Sequence, residues 1–320
     1  MDGNVTAYHG ELVASAAWVE HFQRSLQRAD IVQGTSPNHL SPAEVDAIAQ
    51  SVAEFQLGES SEGRHLITAA YRYAAISGDY NYVAALRLFI AEENRHAQEL
   101  GRFLDSAGIP RVGASWPDTV FRFLRRRAGL ELSIVVLVTA EIIAKVYYAA
   151  LRDATGSRVL QQLCKQILRD ERHHVNFQAQ RVALLRARRS RLSIRVRVAL
   201  HRFLLAGTCF VVWRKHGRAM RAGGMSFGRF WRATWREMND AIADMDPGNY
   251  PALVPDRSDR SALVPHRSAK PTSGGTVALA HALESAASRL REPERAAREL
   301  PSPKNAPQPD ALQLTLKDVT

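Results

Sequence analysis

Apolar positions recur at three- and four-residue steps through most of the first 245 residues, and this pattern predicts an all-α chain. Leu12, Ala16, Val19 and Phe22 mark an amphipathic helix over residues 6–28, expected to pack outside the main bundle. After a break at Gly34-Thr35-Ser36-Pro37-Asn38, Ser41, Pro42 and Glu44 form a capping-box start. The helix it opens is expected to run to about Ala75, across Gly58 and Gly63, each roughly 1 kcal/mol less favourable than Ala. A second helix is expected from Tyr80 to Ser106, stopped by Gly108-Ile109-Pro110. A short helix over 118–127 then leads to helices over 130–152, 157–188 and 190–222, and after Gly223-Gly224 over 226–243. From Asp246 the composition changes, since ten of the 14 prolines fall in 247–320 and Ala252–Ser258 nearly repeats at Ala262–Ser268. The expected state there is a flexible tail with an isolated helix near 278–299.

Four segments follow: an N-terminal helix in 1–40, a four-helix bundle in 41–190, a basic and aromatic helical extension in 191–245, and the proline-rich tail in 246–320. Leu132 to Ala140 is apolar on every side, which invites a membrane-spanning reading. Glu141 and Lys145 in mid-helix oppose it, because each charge costs roughly 2.5–3.5 kcal/mol at a bilayer centre. An apolar helix with one functional carboxylate suits the middle of a large bundle better. The run Phe203–Trp213 is eleven residues, too short to span a bilayer.

Candidate chemistry sits in two five-residue stretches, Glu92-Glu93-Asn94-Arg95-His96 and Asp170-Glu171-Arg172-His173-His174. Each places a carboxylate and an imidazole three residues apart, on one face of a helix, where both can reach one metal ion. Glu62 precedes Glu93 by 31 residues and Glu141 precedes Glu171 by 30, with a turn sequence at the midpoint of each interval. If each turn joins antiparallel helices, each upstream carboxylate stands at the height of its motif, roughly 22 Å from the turn at ~1.5 Å per residue. Two such hairpins gather Glu62, Glu93, His96, Glu141, Glu171 and His174 in the centre of a bundle. Glu59, one turn before Glu62, competes for its place, and His65 makes a further Glu-x-x-His spacing better explained by a helix surface. Four carboxylates offset most of the charge of two divalent ions, and imidazoles favour iron or manganese over calcium and magnesium.

The order Glu, Glu-x-x-His, Glu, Glu-x-x-His resembles the ferritin-like di-iron carboxylate superfamily. Glu-Glu-Asn-Arg-His and Asp-Glu-x-x-His are most similar to the strings of soluble acyl carrier protein desaturases, and more loosely to bacterial multicomponent monooxygenases. The resemblance covers about residues 45–190. It implies a ferritin-like four-helix bundle holding two iron ions, with Mn/Fe or Mn/Mn as alternatives. The implied activity is dioxygen-dependent oxidation of a largely apolar, fatty-acyl or small-molecule substrate, with electrons from an external donor. It also implies that Asp170 accepts the second N–H of a ligating histidine and fixes its tautomer. Tyr148, seven residues after Glu141, and Tyr73, eleven after Glu62, are redox candidates that core packing explains better. Lys145 either forms a salt bridge at the bundle edge or faces the metal cavity.

Competing readings are a manganese catalase or another peroxide- or iron-detoxifying ferritin-like protein, and a non-catalytic, membrane-associated helical scaffold. An iron-storage ferritin is disfavoured by the chain's 320 residues, and a rubrerythrin by the absence of any Cys-x-x-Cys pair, since Cys164 and Cys209 stand alone. The N-terminus has no basic and then apolar leader, so the expected compartment is the cytoplasm, with a peripheral place at the inner membrane surface. The formal charge of +11 belongs to one segment: residues 181–236 carry 15 Lys and Arg and no Asp or Glu, leaving 28 basic and 32 acidic residues elsewhere. Such a field suits an anionic membrane surface or an acidic acyl carrier protein. Phe227, Phe230, Trp231 and Trp235, beside Arg229, Arg232 and Arg236, are the expected membrane-facing side chains. No nucleic-acid motif accompanies the charge, and a homodimer is the expected assembly if there is one.

Overall fold

In the computed structural model, which describes residues 12–28, 31–32, 40–60, 63–113 and 129–253, regular structure among the described residues is entirely helical. The eight helices described are α1 (Ser15–Leu26), α2 (Pro42–Glu59), α3 (Arg64–Ser77), α4 (Tyr80–Ser106), α5 (Leu130–Asp153), α6 (Arg158–Arg186), α7 (Arg191–Ala222) and α8 (Phe227–Asp244). The expected helices over 118–127 and 278–299 lie outside the described residues. The tail expected from Asp246 is still ordered through two short 3₁₀ turns, Pro247–Asn249 and Pro251–Leu253, with the Tyr250 hydroxyl donating to the Asp244 carbonyl.

The bundle is built from α4, α5, α6 and the α2–α3 pair. Its starts and turns are set by local chemistry. Ser41 and Glu44 form the capping box of α2, and the Asp79 carboxylate accepts from the Tyr82 N–H to cap α4. The Glu44 carboxylate also accepts from the Gly156 N–H at 2.6 Å, pinning the start of α2 to the turn between α5 and α6. That backbone N–H, with Ser41, holds the Glu44 carboxyl down to about 2. Asp79 likewise ties three elements together, taking hydrogen bonds from Ser15 of α1 at 2.7 Å and Arg181 of α6 at 2.8 Å.

The long helix expected from Ser41 to about Ala75 is two helices. Ser60 turns to an extended conformation, and Gly63 sits at φ 60°, so the axis breaks before α3. Glycine suits the position, because its left-handed φ strains other residues and a Cβ would also meet the end of the Ile90 side chain at 2.2 Å.

Trp18, Phe22, Tyr82, Leu86, Phe103, Tyr147, Leu160 and Phe177 lie in a core shared by α1, α4, α5 and α6. Leu205, Cys209, Phe230 and Met238 continue the same core into α7 and α8. α5 is the all-round apolar helix at its centre, and 83% of its most apolar window is buried. α7 crosses α5 so closely that a Cβ on Gly223 would stand 2.0 Å from the Ala150 carbonyl oxygen. Two backbones meet there, so no side-chain rearrangement relieves the overlap. Gly223→Ala should therefore lower stability by roughly 1–3 kcal/mol in thermal or urea melts, and an unchanged melt would show that the two helices stand farther apart.

Candidate metal centre

The i, i+3 spacing of each motif does on the helix what local geometry requires, bringing Glu93 and His96 to one face of α4 and Glu171 and His174 to one face of α6. These faces meet Glu141 of α5 in the core. Ligand atoms of Glu59, Glu93, His96 and Glu171 all lie within 4.8 Å of one another, and so do those of Glu93, Glu141, Glu171 and His174. His174 Nδ1 stands 2.8 Å from Glu93 Oε1 and 3.4 Å from Glu171 Oε2, while His96 Nδ1 is 3.9 Å from Glu171 Oε1.

Five of the six residues expected from sequence are thus brought together. The sixth, Glu62, lies outside the described residues; among the described residues the carboxylate from this part of the chain is Glu59, the last residue of α2 and its competitor in the sequence. The count that pairs Glu62 with Glu93 assumes one unbroken helix, whereas α2 ends at Glu59 and α3 starts at Arg64.

The donor set fits a pair of metal ions. Glu93 Oε1, both oxygens of Glu171, His96 Nδ1 and His174 Nδ1 are buried without any hydrogen-bond partner, an arrangement that is costly unless a cation collects them. Each group of four supplies one histidine and one carboxylate of its own, and both contain Glu93 and Glu171. Protons show the same frustration. Burial, then the Glu93 charge, pushes the Glu59 carboxyl well up, and burial with the Glu141 charge pushes Glu171 well up and raises Glu93. Burial opposes charge on the His174 imidazole, but the Glu93 and Glu171 carboxylates outweigh it and hold its pKa well above the usual histidine range. Among these four carboxylates Glu141 alone shifts down: burial raises it, but its proximity to Glu171 and to the His174 and His96 imidazoles outweighs the burial.

Around these ligands the structure places a crossed pair of supports. His96 Nε2 lies 3.1 Å from Asp170 Oδ2, and His174 Nε2 lies 2.9 Å from Glu92 Oε2. The carboxylate preceding each motif thus holds the histidine of the other, leaving both Nδ1 atoms for the centre. Burial raises both carboxyls, yet the histidine hydrogen bonds bring Glu92 and Asp170 below their ordinary range, with Arg28 adding to the effect at Asp170. Arg95 Nη2 links the two at 3.2 Å from Glu92 and 2.9 Å from Asp170. Arg28 also pairs with Asp170, and the Ser25 hydroxyl donates to Glu92. Glu92 could have been found in the sequence, since it precedes its motif as Asp170 does. Ser25 and Arg28, which come from α1 and the turn after it, carry no such signal. Asp170→Ala should weaken metal binding about 10–100-fold, as measured by competition with a chromophoric chelator. Unchanged affinity would mean that Asp170 does not set the His96 tautomer.

The remaining candidates separate clearly. Tyr148 is buried and its hydroxyl donates to Glu59 Oε1 at 2.5 Å; burial and the Glu59 charge push its pKa well up, so it keeps its proton. Lys145 forms the salt bridge, with Glu237 of α8. Tyr73 packs under Arg181, with hydroxyl and guanidinium 3.2 Å apart, and His65 is exposed. Phe89 stands edge-on to the His174 ring at 4.7 Å, and Phe22 is 6.0 Å away, giving that histidine a dry aromatic wall.

No family model and no curated protein matches the chain. Solved structures do match it. A single-residue variant of an R2-like ligand-binding oxidase with an aerobically reconstituted Mn/Fe cofactor shares 16% identity and superposes with a TM-score of 0.55, over 77% of this chain and 100% of its own. An R2-like ligand-binding oxidase with aerobically reconstituted Mn/Fe cofactor after a long soak gives 16% and 0.54, over 73% and 93%. One without metal cofactor gives 15% and 0.51, over 73% and 97%. The chain has the ferritin-like fold of these oxidases, and its buried carboxylate and histidine cluster is able to bind a metal pair.

Proposed function

We propose that this chain is a two-metal carboxylate oxidase or oxygenase that uses dioxygen to oxidise a largely apolar substrate, with electrons from an external donor. The observation that carries the reading is the pair of four-ligand groups sharing Glu93 and Glu171. Four carboxylates neutralise two divalent ions, and two imidazoles select iron or manganese. The Mn/Fe cofactor reported for the structural neighbours supports a mixed pair as well as two irons. When bound, the metal pair would supply activation of dioxygen and the oxidising power.

The chain's own residues do the rest. Glu92 and Asp170 hold the two imidazoles, Phe22 and Phe89 keep water from His174, and Tyr148 holds a proton against Glu59. The fatty-acyl version of the substrate rests on the likeness of the two motif strings to acyl carrier protein desaturases.

The test is elemental analysis of protein produced with both iron and manganese available, followed by dioxygen uptake after chemical reduction. Two metals per chain and uptake beyond that of the free ions are expected. A metal content below one per chain, or loaded and reduced protein that consumes no dioxygen, would overturn the reading.

A further inference from the structure

The aromatic residues of α8 expected to face a membrane are largely committed to the protein. Phe230 is fully buried and stacks on Trp213 of α7 at 5.8 Å, while Phe227 and Trp231 each lie 5.5 Å from Phe210. The bare apolar surface is on α7. Leu192, Val196, Leu200, Phe203 and Phe210 are 72%, 52%, 64%, 80% and 58% exposed, more than half of the large exposed hydrophobic residues described. At 100° per residue these five fall within an arc of about 80°, along about 27 Å of helix. Ala199 and Gly207, also exposed, fill the gaps between them.

Arg191, Arg195 and Arg202, all exposed, run along one border of this arc, and exposed Arg214 closes its end. Among the described residues none of the four has a carboxylate partner, whereas Arg197, Lys215 and Arg218 are paired with Glu131, Glu54 and Asp46. A continuous apolar strip edged by unneutralised guanidiniums is the pattern of a helix lying in the plane of an anionic bilayer, side chains in the acyl boundary and arginines on headgroups.

We propose that α7 docks this protein onto anionic lipid membranes through Leu192, Val196, Leu200, Phe203 and Phe210, with the arginine row contacting headgroups. The helix lies on the bilayer and does not cross it, although its length and composition would permit a span. Its opposite face buries His201, Thr208 and His216 against the protein, with His201 on Thr139 of α5 and His216 on Ser51 of α2. A second copy is the weaker occupant on charge, because pairing two α7 faces brings both arginine rows together with no acidic residue on either helix.

The test is cosedimentation of the full chain with phosphatidylcholine vesicles of increasing phosphatidylglycerol content, at low and high salt. Binding should rise with the anionic fraction and fall with salt. The double variant Leu200→Ser, Phe203→Ser should lower partitioning about tenfold or more, with far-UV circular dichroism and metal content unchanged. Arg195→Gln and Arg202→Gln should each lower binding to anionic vesicles roughly fivefold. The proposal is overturned by absence of binding to anionic vesicles at low salt, or by binding indifferent to the serine variant. A stable dimer that the serine variant dissociates would also overturn it and assign the strip to a second copy.

Discussion

Glu171→Ala should leave the protein with no tightly bound metal, whereas His174→Ala should leave it with one ion of the pair. Glu93 and Glu171 belong to both ligand groups, so losing either strips a donor from each ion. Glu59 and His96 belong only to one group, Glu141 and His174 only to the other. Single replacements should therefore fall into three classes by metals per chain: none for Glu93 or Glu171, and one of two distinguishable ions for the other pairs. Each loss should also appear in the melting temperature. An ion that binds only the native site adds about 4 kcal/mol when free metal exceeds its Kd by 1,000-fold, and the metal-free cluster leaves buried carboxylates facing one another. Elemental analysis of the six alanine variants decides the matter. A Glu171→Ala protein that keeps two ions would sink the shared-carboxylate geometry, and loss of both ions in all six would mean that the two sites are not separable.

The second large effect lies far from the metal centre in sequence logic. Arg186, at 1% exposure, has its Nε 2.9 Å from Glu131 Oε1, while Arg189 and Arg197 approach the other oxygen at 3.0 and 3.3 Å from more exposed positions. Removing the carboxylate charge by Glu131→Gln strands a buried guanidinium, at a cost of about 3–5 kcal/mol. In a domain of this size that corresponds to a fall in Tm of roughly 6–20 °C. Arg186→Met should cost less, because Glu131 retains Arg189 and Arg197, both partly in water. Calorimetry on the two variants tests the asymmetry, and equal losses would mean that the surface arginines do not hold the carboxylate.

Much of the centre was legible because its information is local. Glu93 with His96 and Glu171 with His174 need only the helical repeat to share a face, and Glu141 stands out as the one carboxylate in the middle of an apolar helix. The Ser41 and Glu44 cap is local in the same sense. What the chain order could not decide was anything that depends on which surfaces meet. Glu59 closes α2 and joins one ligand group, and the Ile90 side chain of α4 approaches Gly63 just before α3, placements that are invisible from either segment alone. The crossed pairing of Asp170 with His96 and Glu92 with His174 exists only because α4 and α6 face each other. The same limit governed the basic segment: its periodicity grouped Phe227, Phe230 and Trp231 on one face of α8, but only packing against α7 turned that face inward and left Leu200 and Phe203 to the solvent. Periodicity assigns residues to a common face by the geometry of one helix, whereas the direction of that face depends on the shape and charge of every neighbour it packs against.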